Sequence, residues 1–317
     1  MEWSARIGRR IKLRDLHILL AVAECRSMAK AAEHLAISQP VVSKVIADLE
    51  RTLGVRLLDR DRHGAQPTIY GDALLKRGVA AFDELRSGVV DIEFLSDPTV
   101  GELRLGATEV IAAGFVAAVI DRISRRYPRI NFEVRTDGTT ELDRELRDRN
   151  IDLIIGRVPG RIVDEQVDTE ILFDEPLFVV AGTQNPLVRR RRPLRLADLA
   201  DELWILPSRE NVGRSLVTEI FHVSGVEVPR TAVVVNSMQM MNTLLATGRY
   251  LALHPASYLR FSARLSSKIL PVEMPRRSTP VGVVTLKNRT LNPIAKLFID
   301  YARTVARPLA KGRKTAA

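Results

Sequence analysis

Cysteine occurs once in the 317 residues, at Cys25, so no internal disulfide can form and the composition fits a reduced cytoplasm. Cys25 itself reads as a small buried hydrophobe at the end of the first helix, not as a redox switch. No apolar run reaches the ~18 to 20 residues that a membrane-spanning helix needs. The opening residues Met1 to Ile7 carry no apolar core of a secretion signal, and no membrane partner is expected. The five histidines, His17, His34, His63, His222 and His254, show no His-Glu-x-x-His or other metal-ligand spacing. Neither a Gly-x-Ser-x-Gly elbow nor a phosphate-binding Walker loop is present. No catalytic residue, metal or cofactor is therefore expected, and an enzyme is the weaker reading.

What the chain has in excess is positive charge. Its formal net charge is +10 and its pI about 10.1, a balance that favours a polyanionic partner. Residues 1–62 hold twelve Lys and Arg against eight Asp and Glu, and five of these cations (Arg6, Arg9, Arg10, Lys12, Arg14) crowd the first 14 residues. The run Arg189 to Arg192 lies in the other half of the chain and reads as a solvated loop closed by Pro193. With 46% hydrophobic residues the chain has material for a core in two or three domains.

Around Ser38 to Glu50 the apolar residues Val42, Val45, Ile46 and Leu49 fall on one face of a helix. Ser38 suits the N-cap, and Pro40 stands in the first turn, where its missing N–H costs nothing. Pro40, Val41, Ser43, Lys44, Ala47 and Arg51 remain on the opposite face. Upstream, Ser27 to Leu35 predicts a second short helix capped by Ser27. Its Ala31 and Ala32 permit the close approach of a helix-turn-helix, and Ala36-Ile37 forms the turn. Downstream, Leu53 to Arg60 reads as a short strand, followed by a polar loop and a return at Asp61 to Thr68: a wing. Leu16, Leu19, Leu20 and Ala23 predict a further helix packed beneath the pair. At these positions the chain resembles the LysR-type transcriptional regulators, through Ala31-Ala32, Ser38-Gln39-Pro40, Ser43, Ile46, Leu49-Glu50, Leu53-Gly54 and Leu57-Leu58-Asp59-Arg60. Residues 1–68 are thus expected to form a winged helix-turn-helix. Its candidate DNA contacts are Ser27, Lys30, Ser38, Gln39, Pro40, Val41, Ser43 and Lys44, with Arg62 on the wing and Arg9 or Arg10 on phosphates. Gln39 has the amide to pair with adenine, and Val41 the methyls to meet a thymine.

Residues 69–96 predict one long helix ended by Asp97-Pro98-Thr99. Leu75, Phe82 and Val89 recur every seven residues, with Leu85 and Ile92 in a second row offset by three, the pattern of a dimer seam. A dimerising linker helix is also what the resemblance implies. Beyond it, strands and helices alternate, which predicts parallel sheets with helices on both faces. Two such α/β runs suggest two lobes, I (about 97–169 and 276–310) and II (about 170–275), with crossings near 168–174 and 271–279. The resemblance supports a regulatory half of this kind, similar to periplasmic solute-binding proteins. The expected fold class is α/β throughout residues 97–310.

In such sheets ligands collect beyond the carboxyl ends of strands, near helix N-termini. Thr108, Thr139, Arg157, Ser237 and Asn211 stand at such places. The resemblance implies effector contact at Thr108, Thr139 and Arg157, although Thr139 and Ser237 also fit plain helix caps. Hydroxyls and one cation suit a small polar effector, an organic acid or a sugar. Glu109, beside Thr108, is awkward for a carboxylate. The expectation is a cytoplasmic regulator of double-stranded DNA controlled by a small-molecule effector. It is expected to self-associate as a tetramer built from dimers on an interrupted palindrome, with RNA polymerase as a further candidate partner. The alternatives are a solute-binding protein and a small-molecule enzyme with no DNA role.

Overall fold

The computed structural model describes residues 10–61, 64–158, 164–190, 192–208, 212–229, 233–262, 266–275 and 277–311. The chain falls into two compact units, Met1–Gly88 and Val89–Ala317.

The first unit contains α1 (Leu13–Cys25), α2 (Met28–His34) and α3 (Gln39–Leu53), the strands β1 (Leu58–Asp61) and β2 (Gly64–Pro67), and the start of α4 (Ile69–Ser96). Its core gathers Ile18, Leu19 and Val22 from α1, Ala31 and Ala32 from α2, and Val42, Ile46 and Leu49 from α3. On α3 this is the face that periodicity selects, whereas of the row expected on α1 (Leu16, Leu19, Leu20, Ala23) only Leu19 is fully buried, because α1 is turned so that Ile18 and Val22 pack inward. Each side chain at zero or near-zero exposure stabilises by about 1.5–3 kcal/mol if large, and the two alanines bring α2 close without a gap. The expected strand from Leu53 begins later, at Leu58. Helix α3 runs on through Leu53 until Gly54, at φ 74°, closes it in the left-handed conformation. The wing is then tied back: Glu50 Oε1 accepts the N–H groups of Leu57 and Leu58 at 2.8 and 3.2 Å. Gly71 is where α4 crosses the wing, since a Cβ there would stand 2.1 Å from the Leu57 carbonyl oxygen.

The long helix α4 matches its predicted span, but its rows divide. Leu75 packs on the winged-helix core, and the Phe82 ring stacks 5.8 Å from His17 of the same unit. These two positions therefore belong first to their own unit and not to a free seam, because α1 lies beneath them. The positions buried along the helix are Gly71, Gly78, Asp83 and Ser87. Leu85, Val89, Ile92 and Leu95 of α4 are apolar yet 51, 55, 65 and 80% exposed.

The second unit begins with β3 (Val100–Ala107), α5 (Glu109–Ile111), a π-turn (Ala112–Val116), α6 (Ala117–Ser124), β4 (Arg129–Thr136), α7 (Thr139–Arg147) and β5 (Leu153–Arg157). The single helix expected over 111–126 is interrupted by that π-turn. There Gly114 meets the backbone of Tyr258, so that a Cβ would come within 2.8 Å of its Cα. The chain continues through β6 (Val167–Gly182), β7 (Leu194–Arg195), β8 (Leu203–Leu206), α8 (Val212–Val223), β9 (Val233–Val234) and α9 (Met238–Ala246). It ends with β10 (Tyr250–Pro255), α10 (Ala256–Phe261), β11 (Ser267–Ile269), β12 (Val272–Glu273), β13 (Ser278–Leu286) and α11 (Pro293–Lys311).

Strand order is β4-β3-β5-β13-β6-β10-β8-β9, with β11 also on β6 and a separate β7–β12 pair. The parallel pairs expected in lobe I are present between β3, β4 and β5. Its core gathers Leu103, Leu105, Ile155, Phe115 and Phe298. Lobe II centres on Trp204 against Phe221, with the indole N–H donated to the Leu199 carbonyl at 2.9 Å. The crossing placed near 168–174 is no break. Strand β6 is 16 residues long, and pairs antiparallel with β13 up to Pro176 and with β10 from Leu177 onward. Lobe I thus extends about as far as Pro176, because β13 satisfies the backbone of β6 through the whole predicted crossing.

Candidate functional site

At the head of α3, Ser38, Gln39, Pro40, Val41 and Lys44 are exposed, Ser43 is half-buried, and Lys30 of α2 is exposed. Ser38 takes the N-cap conformation, yet its hydroxyl makes no cap bond and remains available. Ser27, by contrast, is committed to its helix, accepting the Lys30 N–H at 3.4 Å. Arg10 is exposed, whereas Arg9 and Arg62 lie outside the described residues. The burial of Val42, Ile46 and Leu49 fixes the rotation of α3 and so turns the Gln39, Val41 and Lys44 side outward. A convex, exposed helix start of this kind is what fits a major groove.

In the second unit a cavity of about 650 Å³ opens between the two lobes. Lobe I lines it with Thr108, Glu109, Asp137, Thr139 and Arg157, and lobe II with Ser208, Val217, Asn236, Met238, Met241 and His254. The polar residues stand where strands end: Thr108 after β3, Asp137 and Thr139 after β4, Arg157 at the end of β5, and His254 near the end of β10. Among the described residues, three enclosed polar atoms on these walls have no hydrogen-bond partner: Thr108 Oγ1, Arg157 Nε and His254 Nδ1.

The electrostatics of the cleft follow from burial. The Arg157 guanidinium is pushed below its ordinary pKa by desolvation, a shift opposed by the Glu175 carboxylate nearby. Glu175 is fully buried, and burial raises its pKa even though it accepts the Ser257 N–H at 2.9 Å and the Ser257 hydroxyl at 2.6 Å. Burial also pulls His254 down to about 4, so its ring is neutral near pH 7. Its Nε2 lies 3.2 Å from Met241 Sδ, and its ring meets Tyr258 edge-on at 5.0 Å. Glu109 reaches from lobe I to lobe II, where its Oε1 accepts the Met238 N–H at 2.8 Å, at the N-terminus of α9.

Residues 13–72 match the family described as bacterial regulatory helix-turn-helix protein, lysR family, and residues 96–307 match the LysR substrate binding domain. The chain belongs to the LysR family. A LysR-type transcriptional regulator therefore carries this winged helix and this cleft, one unit for DNA and one for an effector. Among relatives, the chain is 30% identical to the HTH-type transcriptional regulator GbpR of Azospirillum brasilense, over 94% of this chain and 87% of that protein. The fold is shared with full-length OxyR from Pseudomonas aeruginosa, at TM-score 0.67 and 21% identity over 96% of this chain and 97% of that one. It is shared too with full-length CbnR solved with its target DNA, at TM-score 0.63 and 21% identity over 93% and 100% of the two chains.

In this LysR-type chain the structure brings Thr108, Thr139 and Arg157 to one cavity. Thr139 lies just inside α7 with Gly138 at the N-cap, so capping does not occupy it. Ser237 is the plain cap: its hydroxyl accepts the Met240 N–H at 3.3 Å, and it is not among the cavity-lining residues. Asn211 lies outside the described residues. Asp164, a conceivable partner of Arg157, is instead paired with Arg147. Asp137, Glu175, Ser208, Asn236 and His254 escaped the sequence reading. Two of them carried a signal: His254 closes an apolar strand, where the strand-end rule applies, and Glu175 is a carboxylate at the mouth of the apolar run 177–181. Ser208 and Asn236 carried none, since they meet only in space, with Asn236 Oδ1 accepting the Ser208 N–H at 3.0 Å.

Proposed function

We propose that this regulator reads its operator through Gln39, Val41, Ser43 and Lys44 of α3, with Ser38, Pro40 and Lys30 beside them. In this reading Arg10, Arg9 and the wing residue Arg62 hold phosphates. The Leu85, Val89 and Ile92 row of α4 joins two copies, and dimers pair into a tetramer on two half-sites. A small polar molecule closing on Thr108, Thr139 and Arg157 shifts the balance between two lobe arrangements, and so changes operator occupancy or engagement of RNA polymerase. The chain acts in the cytoplasm and performs no catalysis of its own. The observation that supports sensing above all is the cavity between the lobes, where three buried polar atoms have no partner among the described residues. Buried polar groups are nearly always satisfied, by protein, ordered water or a ligand, so these atoms are ones with which a bound molecule can pair. A crystallised relative in the family, CbnR, was solved with target DNA, which supports the DNA half. DNase footprinting of the full-length protein on the DNA upstream of its own gene tests the reading. Two protected half-sites about one helical turn or more apart are expected; protection indifferent to sequence would sink it.

A further inference from the structure

The regulator reading above leaves the chemistry of the effector open, and the cleft narrows it. In an α/β cleft, helix N-termini offer ready-made anion sites. Here the chain fills them with its own carboxylates. Glu109 sits on the N-terminus of α9, accepting the Met238 N–H at 2.8 Å. At the start of α7, Asp137 Oδ1 accepts the Gly138 N–H at 2.7 Å, and Glu141 Oε2 lies so near Gly138 that a Cβ there would be 2.6 Å away. Against these three carboxylates stands, among the described residues of the cavity wall, one cation, Arg157. That cation already has a counter-charge in the buried Glu175. The imidazole of His254 is neutral near pH 7, so it adds none.

An incoming carboxylate would therefore find these two helix N-termini taken and, among the described residues, a net negative wall. What the cleft lacks is neutral hydrogen-bonding matter. The Thr108 hydroxyl, the Arg157 Nε and the His254 Nδ1 are enclosed without partners, and among the described residues no hydrogen bond or ion pair reaches the Arg157 side chain. Carboxylates accept hydroxyl protons, a guanidinium donates to hydroxyl oxygens, and a threonine hydroxyl does both. The opposite wall, with Val217 and Met241, is apolar and suits the C–H face of a ring. We propose that the effector of this cleft is an uncharged polyhydroxylated molecule, a sugar or a related polyol, held by Thr108, Arg157 and His254, with the carboxylates of the cleft accepting its hydroxyls.

A matched series separates this class from charged ones. The probes are neutral pentoses, hexoses and disaccharides, with glucuronate and glucosamine as charged counterparts of glucose, and succinate and benzoate as acids. Thermal shift and calorimetry on the full-length protein are run beside Thr108→Val, Arg157→Ala and Glu109→Gln, each checked for native circular dichroism. At least one neutral member is expected to bind, and an acidic counterpart to bind at least tenfold more weakly. Thr108→Val, which changes little volume, should weaken the neutral ligand about tenfold or more; Arg157→Ala does the same wherever it folds. In Glu109→Gln the acidic counterpart should regain affinity. Binding confined to the acids or to the amine, or no response to the neutral series, overturns the proposed class while leaving the cleft as the sensing site. A probe whose binding ignores both Thr108→Val and Arg157→Ala overturns the cleft itself as the site, which is the broader reading.

Discussion

Gln39 is exposed on the first turn of α3, with an amide that can accept from and donate to one adenine edge. Its replacement by alanine is expected to weaken operator binding by about 1–3 kcal/mol and to leave random DNA almost unaffected. Gel shifts on both probes check this, and equal losses would mean that Gln39 reads no base. His254 makes a different prediction. Its folded-state pKa, about 4, lies below the ordinary value of 6.5, so between those values the unfolded chain holds more protons than the folded one. Stability is then present above about pH 6.5 and is lost as pH falls toward about 4. Glu175, whose pKa burial raises, acts in the opposite sense, since the folded state takes up its proton more readily. Urea melts at about pH 7 and about pH 5 should show the wild type losing roughly 2 kcal/mol more than His254→Gln. Parallel losses would show that His254 does not titrate in this range.

Among the elements, α4 repays a test first. The heptad row was visible in the sequence, but Leu75 and Phe82 turn out to pack within their own unit. A charge at Phe82 would therefore disturb the winged helix as well as any seam. Val89 lies in the exposed part of the row. Val89→Asp is expected to reduce the sedimenting mass by at least half while the helix content of the protein stays unchanged, because a charge in an apolar seam is left unpaired. An unchanged mass would assign self-association to another surface. The same helix shows how far periodicity reaches. It located the span of α4 to the residue at its C-terminal end, yet the row facing α1 and the row facing outward have similar compositions, and only packing tells them apart.

On the scale of the whole molecule, the two units carry two kinds of ligand and two separate cores, and calorimetric melting of the free protein is expected to show two transitions. A molecule bound in the cleft should raise the transition of residues 89–317 by the ordinary mass-action term, about 2.7 kcal/mol at a hundredfold excess over Kd, and operator DNA should raise the other. A single transition moved equally by both would show the units to be one cooperative body. Basic charge is spread over both units, so raised salt should weaken operator binding more steeply than it weakens binding in the cleft.

The sequence by itself determined the winged helix-turn-helix, the span of the linker helix and the alternation of strands and helices beyond it. Each of these is written in local periodicity and in caps such as Ser27, while the helix stop at Gly54 escaped the sequence reading and with it the start of the wing. It also brought out Thr108, Thr139 and Arg157, because strand ends are legible wherever strands are. Three matters were decided only in three dimensions. Strand β6 runs unbroken between the lobes, since its hydrogen-bond partner β13 is more than a hundred residues away in the chain. Ser237 is spent on the Met240 N–H, so a hydroxyl that reads like a contact serves as a cap. Glu109 closes the α9 N-terminus from the other lobe, 129 residues away. Burial and counter-charge depend on neighbours distant in sequence, and no local pattern encodes which of them will meet.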